Sequence, residues 1–228
     1  MKLNFFKCLK CNSSELFKNN NLLNCAECNS NYDNQIYTIF VNETYTKSIG
    51  FQWNKFNQTQ LYSFNGLTLS NDRLREITNW SKSLKGELIL EVGSGSGRFT
   101  EILAKTEAEI YSFDSSSATT ANYNNNAIYK NVNIFRADLY NIPLNIKFDK
   151  ILCIGVLQHT PDIEKSIISL KNFLKPNGEL VFDIYKKNLL HLFQWKYILR
   201  PFLKRISKHK LLQLIKIFSR ILYYPSLF

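Results

Sequence analysis

The chain has 228 residues, of which 45% are apolar, and a formal net charge of +11. This length suits one medium-sized domain with a small attachment, and the apolar fraction is sufficient for a substantial core. No run of eighteen uncharged apolar residues occurs, so we expect no membrane-spanning helix. The apolar run that follows Met1 is too short for a signal peptide, which predicts a cytoplasmic protein.

The positive charge is concentrated at the carboxyl end of the chain. The sequence up to Asp183 holds nineteen basic and eighteen acidic residues and is therefore almost neutral. Any preference for an anionic partner is a property of the tail. No acidic residue follows Asp183, whereas ten basic residues do: Lys186, Lys187, Lys196, Arg200, Lys204, Arg205, Lys208, Lys210, Lys216 and Arg220.

Residues 1–45 contain two Cys-x-x-Cys pairs with thirteen residues between them. At this spacing four thiolates can surround one zinc ion tetrahedrally. Disulfides and a redox-active pair are the alternatives, but a cytoplasmic setting disfavours disulfides. We interpret the segment as a structural zinc ribbon with short strands at 22–25 and 36–41, stabilised by the metal in place of a large core. The predicted ligands are Cys8, Cys11, Cys25 and Cys28.

Residues 46–85 are predicted to form a helical lead-in without a catalytic pair. A helix over residues 70–80 can be capped by Ser70 or Asn71. We expect this segment to pack on the edge of the sheet that follows. The alternative is a lid over the ligand site, which would bring three of its side chains close to the substrate: Gln52, Trp53 and Asn54.

The stretch from Glu87 to Arg98 predicts a buried strand, a sharp turn and the start of a helix. Glycines in the turn let a ligand approach the backbone closely, and the following helix offers free N–H groups. The spacing is G-x-G-x-G and not the G-x-G-x-x-G of a dinucleotide site, so NAD is disfavoured. The glycines of the turn are Gly93, Gly95 and Gly97.

Two later predicted strands end on acidic residues, Asp114 and Asp138. Asp114 can accept hydrogen bonds from both ribose hydroxyls of a nucleoside, although NAD enzymes carry an acid there too. Asp138 can alternatively be a turn or helix-capping residue. The Asn124–Asn126 run, near the end of the helix between these strands, is interpreted as solvated surface.

A fourth predicted strand over 148–156 contains Cys153, which we interpret as a small core residue. His159 follows this strand and can act as a general base on an acceptor hydroxyl or amine. Its alternative role is to shape the pocket or to cap the next helix. That helix, over 162–174, and a fifth strand over 178–185 complete a predicted core of residues 86–185.

This ordered series of motifs resembles the class I methyltransferases that use S-adenosylmethionine (SAM), and in particular their type 11 group. The motifs are E-V-G-S-G-S-G, the two strand-end acids, F-D-x-I-x-C-x-x-V-L-x-H-x-x-D and L-K-P-N-G-E-L. The resemblance implies an α/β fold with a Rossmann-like, mostly parallel sheet and helices on both faces. It also implies that SAM is bound by Glu91, Gly93, Ser94, Gly95, Gly97, Asp114, Ser115, Asp138, Leu139 and Ile154.

The cysteine-rich segment looks like the small zinc ribbon that precedes the catalytic domain in some bacterial RNA and small-molecule methyltransferases. The resemblance implies methyl transfer to an oxygen, nitrogen or carbon atom of a small metabolite, a sugar or a lipid-linked intermediate. The alternatives are an RNA methyltransferase that uses ribbon and tail to hold RNA, and a non-catalytic SAM-binding or interaction protein.

Residues 186–228 depart from the family pattern. They predict two or three helices that are apolar on one side and basic on the other, where the family has a strand hairpin. Such helices can cap the substrate cleft, lie on an anionic membrane surface, or face RNA. The missing hairpin predicts a trimmed fold or a shortened version of a longer protein.

Overall fold

The computed structural model describes residues 3–41, 47–184, 203 and 205–223. Within these ranges the strands are β1 (Leu16–Asn19), β2 (Leu22–Cys25), β3 (Asn31–Asp33), β4 (Thr38–Ile39), β5 (Leu88–Val92), β6 (Glu109–Asp114), β7 (Val132–Arg136), β8 (Phe148–Cys153) and β9 (Leu174–Phe182). The helices are α1 (Lys47–Lys55), α2 (Tyr62–Asn65), α3 (Leu69–Thr78), α4 (Arg98–Ala104), α5 (Ala118–Asn126), α6 (Ile163–Lys171) and α7 (Lys208–Tyr223).

The strands form one mixed sheet in the order β1-β2-β3-β4-β7-β6-β5-β8-β9. From β4 to β9 every neighbouring pair is parallel, whereas β1 to β4 pair antiparallel. The strand before the glycine turn, β5, lies between β6 and β8 and is buried along its last four residues, as expected of a parallel strand covered on both faces. The predicted Rossmann-like fold class is confirmed.

The cysteine-rich segment is continuous with the core sheet. β4 pairs with β7 through Thr38 opposite Phe135. The ring of Phe6 stacks on Phe40 at 5.5 Å and meets Phe135 edge-on at 5.0 Å. Ribbon and core therefore share one hydrophobic cluster, and Met1–Ile184 form one compact unit, with Tyr185–Phe228 as a second.

Several predicted boundaries are wrong: the helix predicted over 162–174 ends at Lys171, and the strands predicted over 36–41 and 148–156 cover only Thr38–Ile39 and Phe148–Cys153. Two further errors change how the sequence is interpreted. α3 begins after Thr68, so the expected capping residues lie inside the helix, where Ser70 donates a hydrogen bond to the Gln60 carbonyl. The second error concerns the strand predicted over 178–185: β9 starts at Leu174 and contains an irregularity opposite Phe148 and Lys150. The Lys-Pro-Asn-Gly sequence thus lies at an irregularity inside the strand and not in a loop before it.

The tail contributes the described helix α7, which has no acidic residue. The sequence predicts a further tail helix over residues 191–200, which lies outside the described residues. Among the described helices, none combines the length and apolar character that crossing a membrane requires.

Candidate functional site

The parallel strands bring the predicted ligand-binding residues to one edge of the sheet. β7, β6, β5 and β8 are successive neighbours, so their carboxyl ends lie side by side. Gly93 follows β5, Asp114 ends β6, Asp138 follows β7 and Ile154 follows β8. In open parallel sheets this edge is where ligands bind.

The glycine loop, residues 93–97, requires glycine for steric reasons. Gly93, Gly95 and Gly97 have φ angles of +69°, +56° and +86°, in the left-handed region that favours glycine. A Cβ atom added to Gly93 would lie 2.2 Å from the Val156 side chain. At Gly97 it would lie 2.2 Å from amide atoms of two asparagines, Asn122 and Asn126.

Asp114 holds the glycine loop in place. One of its carboxylate oxygens accepts a hydrogen bond from the Gly95 N–H at 3.0 Å. The other accepts from the backbone N–H and the hydroxyl of Ser116, at 2.8 and 2.7 Å. A carboxylate offers about four lone-pair positions, so these bonds still leave capacity to accept a ribose hydroxyl.

Glu91 lies on β5 directly beneath the loop and is 2% exposed. It accepts hydrogen bonds from the hydroxyls of Thr100 and Ser112, at 2.5 and 2.8 Å. Burial raises the pKa of this carboxyl group to about 7, despite the opposing effect of the two hydroxyls. The group is therefore poised to carry a proton near neutral pH.

Three buried polar atoms at the loop have no hydrogen-bond partner among the described residues. They are one Glu91 carboxylate oxygen and the hydroxyls of Ser94 and Ser96. Buried polar atoms are nearly always paired, with protein, water or ligand. Unpaired hydroxyls beside a glycine cradle fit a polar ligand such as the amino acid and ribose portions of SAM.

Asparagine side chains of α5 hold the loop from the other side, which corrects the expectation of a solvated surface. Asn126 is fully buried and donates to the Gly97 carbonyl and the Asn122 amide oxygen, both at 2.9 Å. Asn122, also fully buried, donates to the Ser112 hydroxyl at 2.9 Å. Asn125 donates to the Ser96 carbonyl at 2.9 Å. Their helical spacing, with Asn122 and Asn126 four residues apart, was the available sequence signal.

The remaining predicted cofactor residues lie at the same edge. The Asp138 carboxylate accepts the Tyr140 N–H at 2.9 Å, which is the turn role considered as its alternative. Leu139, which follows Asp138, and Ile154, which follows β8, are 6% and 7% exposed. The Ser115 carbonyl accepts a hydrogen bond from the Arg136 guanidinium at 3.1 Å.

The lead-in helix α1 covers the glycine loop. The indole nitrogen of Trp53 lies 3.2 Å from the position that a Cβ on Gly95 would take. The Asn54 amide donates to the Ser117 carbonyl at 2.8 Å, which ties α1 to the start of α5. Trp53 and Asn54 therefore contact the surroundings of the glycine loop, as the lid alternative requires, and the Asn54 side chain is exposed, as is that of Gln52.

His159 ends a short 3₁₀ turn, Leu157–His159, just beyond β8 and is exposed. Val156, directly before this turn, lies against Gly93 of the glycine loop.

Cys153 is fully buried within β8, and burial raises the pKa of its thiol to about 12. A neutral buried thiol is a core residue and not a nucleophile, as the sequence indicated.

One charged pair at this edge was missed by sequence reasoning. Asp183, just beyond β9, accepts hydrogen bonds from the Gly155 N–H and the Arg73 guanidinium, both at 2.5 Å. The pair joins α3 to the ends of β8 and β9. Because the two partners lie 110 residues apart in sequence, no local pattern could have linked them.

The four cysteines meet at a second site. Their sulfur atoms lie within 4.8 Å of one another. The Cys8–Cys28 and Cys11–Cys25 sulfur distances are both 3.5 Å. Four sulfurs around a zinc ion at about 2.3 Å would be about 3.8 Å apart, so the donor set fits a tetrahedral metal.

Both cysteine loops have the same sequence and backbone pattern. Each reads C-x-x-C-N-S, and the asparagines Asn12 and Asn29 have φ angles of +61° and +55°. Asparagine tolerates this left-handed conformation better than most residues. The Tyr32 hydroxyl lies 3.2 Å from the Cys8 sulfur and accepts the Leu9 N–H at 2.9 Å. The repeated C-N-S was a sequence signal for two matched knuckles.

Comparisons with known proteins agree with this geometry. Residues 90–182 match the sequence model of a family described as "Methyltransferase domain". A tRNA U34 carboxymethyltransferase of Ruthia magnifica subsp. Calyptogena magnifica is 35% identical over 45% of this chain and 34% of its own length. A ubiquinone biosynthesis O-methyltransferase of Pasteurella multocida is 30% identical over 51% of this chain and 54% of its own length.

The chain thus spans about half, or less, of the curated relatives it matches. A SAM-dependent methyltransferase structure from Aquifex aeolicus overlays 68% of this chain and 86% of its own, with a TM-score of 0.47 and 19% identity. The family match and the motif residues gathered at the sheet edge agree with each other. Residues 90–182 are similar to a methyltransferase domain, and a four-cysteine, zinc-ribbon-like segment precedes them.

Proposed function

We propose that the protein binds SAM at the glycine loop and transfers its methyl group to an acceptor. The observation that carries the proposal is the combination at one edge of three left-handed glycines and three buried polar atoms without a partner among the described residues. Asp114 and Asp138 lie at the ends of the neighbouring strands. This arrangement suits a nucleoside with a charged amino-acid arm.

Different residues would bind the amino-acid, ribose and adenine portions of SAM. The glycine backbone and the Ser94 hydroxyl would contact the amino-acid portion of SAM, with Glu91 beneath the loop. The Asp114 carboxylate would accept hydrogen bonds from the ribose hydroxyls, and the Ser115 hydroxyl would donate one to the ribose. The Asp138 carboxylate would accept a hydrogen bond from the adenine amino group, while Leu139 and Ile154 would contact the ring. When bound, SAM supplies an electrophilic methyl group to an attacking oxygen, nitrogen or carbon.

The protein's contribution to the reaction would be orientation, exclusion of water and proton removal. Trp53 on α1 covers the loop and would keep the site dry. His159, on the turn after β8, would accept the proton from an acceptor hydroxyl or amine. Its exposure leaves it open to an acceptor that arrives from solvent.

We propose a small metabolite, a sugar or a lipid-linked intermediate as the acceptor. The compact unit that holds the site is almost neutral in charge, unlike a surface that binds a polyanion. The relatives named above include both a tRNA-modifying and a ubiquinone-biosynthesis enzyme, so RNA remains the alternative acceptor. RNA binding would show steep salt dependence.

We further propose that Cys8, Cys11, Cys25 and Cys28 bind one structural zinc ion. Four thiolates leave no open position for chemistry, which assigns the ion a structural role. Its support would reach the cofactor site because β4, in the ribbon, pairs with β7, the strand that leads to Asp138.

We propose an anionic membrane surface as the partner of the tail, and a cytoplasmic, peripheral location. Helix α7 carries only basic charges, and four of its apolar side chains are between 39% and 61% exposed: Leu214, Ile215, Ile217 and Phe218. Basic amphipathic helices bind anionic lipid through both features. Co-sedimentation with vesicles of mixed anionic and neutral lipid, against neutral vesicles alone, tests this. Binding to RNA but not to vesicles would overturn it.

Transfer of radiolabelled methyl groups from SAM tests the catalytic proposal. The zinc-loaded protein is incubated with small-molecule extracts and, separately, with total RNA. Label incorporated into small molecules supports the proposal, and label in RNA supports the alternative acceptor. SAM binding without transfer to any acceptor pool would identify the chain as a non-catalytic SAM-binding protein.

A further inference from the structure

A cavity of about 380 Å³ lies between α3, α4 and the segment 80–84. Leu84 precedes β5 and Thr106 precedes β6, so this cavity reaches the amino ends of strands whose carboxyl ends carry the glycine loop. It shares no lining residue with the predicted cofactor site. The volume falls within the range of about 300–1,000 Å³ that small-molecule sites occupy.

The floor of the cavity is apolar. Leu74, Leu84 and Leu103 are 5%, 4% and 0% exposed and belong to one core cluster. Ile102 and Trp80 pack against the same cluster and also line the cavity. An apolar group that entered the cavity would extend this cluster and lose contact with water, which is favourable.

The rim of the cavity is basic. Its charged lining residues are Arg75, Lys82 and Lys105, and no acidic residue lines it. Lys105 forms an ion pair with Glu101 at 3.1 Å. Within the described residues, neither Arg75 nor Lys82 forms an ion pair. Two cations are therefore available beside an apolar floor.

We propose that this cavity is a second binding site, distinct from the SAM site, for an amphipathic anion: a carboxylate or phosphate group on an apolar body. The apolar body lies on the leucine floor, and the anionic group pairs with Arg75 and Lys82. Both a free acid and a phosphate ester have this chemistry, and the two are distinguished by the probes below.

The test is a calorimetric titration of the full, zinc-loaded chain with decanoate and with decyl phosphate, each below its critical micelle concentration. Two comparison compounds separate the contributions of charge and apolar body. Decyltrimethylammonium has the same decyl group attached to a cation, and inorganic phosphate has the negative charge without a decyl group. We expect either decyl anion to bind at least about tenfold more tightly than both comparison compounds. Equal binding of the cationic compound would overturn the proposal.

Charge-reversal variants locate the site. Arg75→Glu with Lys82→Glu should weaken anion binding about tenfold, since the substitutions remove two exposed ion pairs with the ligand, each of modest strength. Lys85→Glu is the matched control, because Lys85 is exposed nearby but does not line the cavity. A second control, Lys210→Glu with Lys216→Glu, reverses charge on α7. If only the α7 variant loses binding, the cavity is not the site. SAM titration of the cavity variant should be unchanged, which separates this proposal from the proposed function.

Discussion

The four-cysteine ribbon and the glycine loop both contain tight turns, but they differ in how far along the chain the residues that stabilise them lie. All four cysteines of the ribbon lie within residues 8–28, on two loops that share the pattern C-x-x-C-N-S. The glycine loop is contacted by Trp53, about 40 residues before it in the sequence, and by Asn122 and Asn126, about 30 residues after it. The cysteine site can be recognised from residue spacing because its four side chains are close in sequence. The residues that hold the glycine loop are distant in sequence, and only the folded structure shows that they contact it.

The largest effect is expected from removal of the zinc ion that we propose for the ribbon. Cys25→Ser, or removal of zinc by a chelator, should lower the melting temperature of residues 1–184 by more than about 10 °C. The reason is that metal-binding free energy is folding free energy in such segments, and Phe6 and Phe40 carry the disturbance into the core cluster. Differential scanning calorimetry measures the shift.

Cys153→Ala is the control, since it removes a thiol outside the ribbon without burying a polar group, and its melting temperature should still fall when a chelator is added. A melting temperature unchanged by chelator in a protein shown to contain zinc would mean that the ribbon folds without its metal. The four cysteines would then not be the groups that stabilise the ribbon.

The next effect is a pH dependence that originates at Glu91. Its folded pKa of about 7 lies above the ordinary value of 4.5, so the folded state holds a proton that the unfolded state releases. The stabilisation is complete below about pH 4.5 and is lost as pH rises to about 7, at a cost of about 3 kcal/mol. Urea unfolding across this range measures it.

Glu91→Gln keeps the shape and hydrogen-bonding capacity but cannot titrate, so its stability should change less over the same pH range. Glu164→Gln, at an exposed position on α6, should behave as the unaltered chain does. An identical pH profile for Glu91→Gln and the unaltered protein would show that the carboxyl group is not protonated in the folded state.

Sequence reasoning predicted the elements of the core and the site acids because both have local signatures. Buried parallel strands are continuous apolar runs, and glycine turns have fixed spacing. It mistook Asn125 and Asn126 for surface, because polarity alone does not distinguish a solvated amide from one that pairs with a loop carbonyl. It also missed the Arg73–Asp183 pair, which exists only through the packing of α3.

A smaller effect is expected from the asparagines. Asn126→Ala removes the donor to the Gly97 carbonyl and should cost about 1–3 kcal/mol of stability, since a buried acceptor loses its partner. The loop would also bind SAM less tightly. Chemical unfolding and SAM titration measure the two effects. Asn124→Ala is the control, because Asn124 is exposed on the same helix; equal effects of both substitutions would refute the role assigned to Asn126.

The smallest effect is expected at the covering helix. Trp53→Ala should weaken SAM binding several-fold without a change in fold, because Trp53 lies against Gly95 on the surface of the loop and not within the core cluster. Intrinsic fluorescence and SAM titration are the measurements. Tighter SAM binding by Trp53→Ala would mean that the indole competes with the ligand and does not cover it.

Calorimetric titration of the zinc-loaded protein with SAM and, separately, with NADH tests the proposed cofactor most directly. We expect that SAM binds, that NADH does not, and that Asp114→Ala weakens SAM binding, since this substitution removes both a ribose acceptor and the bond to the Gly95 N–H. Preferential NADH binding, or no SAM binding by a folded, zinc-loaded protein, would contradict the assignment of the glycine loop as a SAM site.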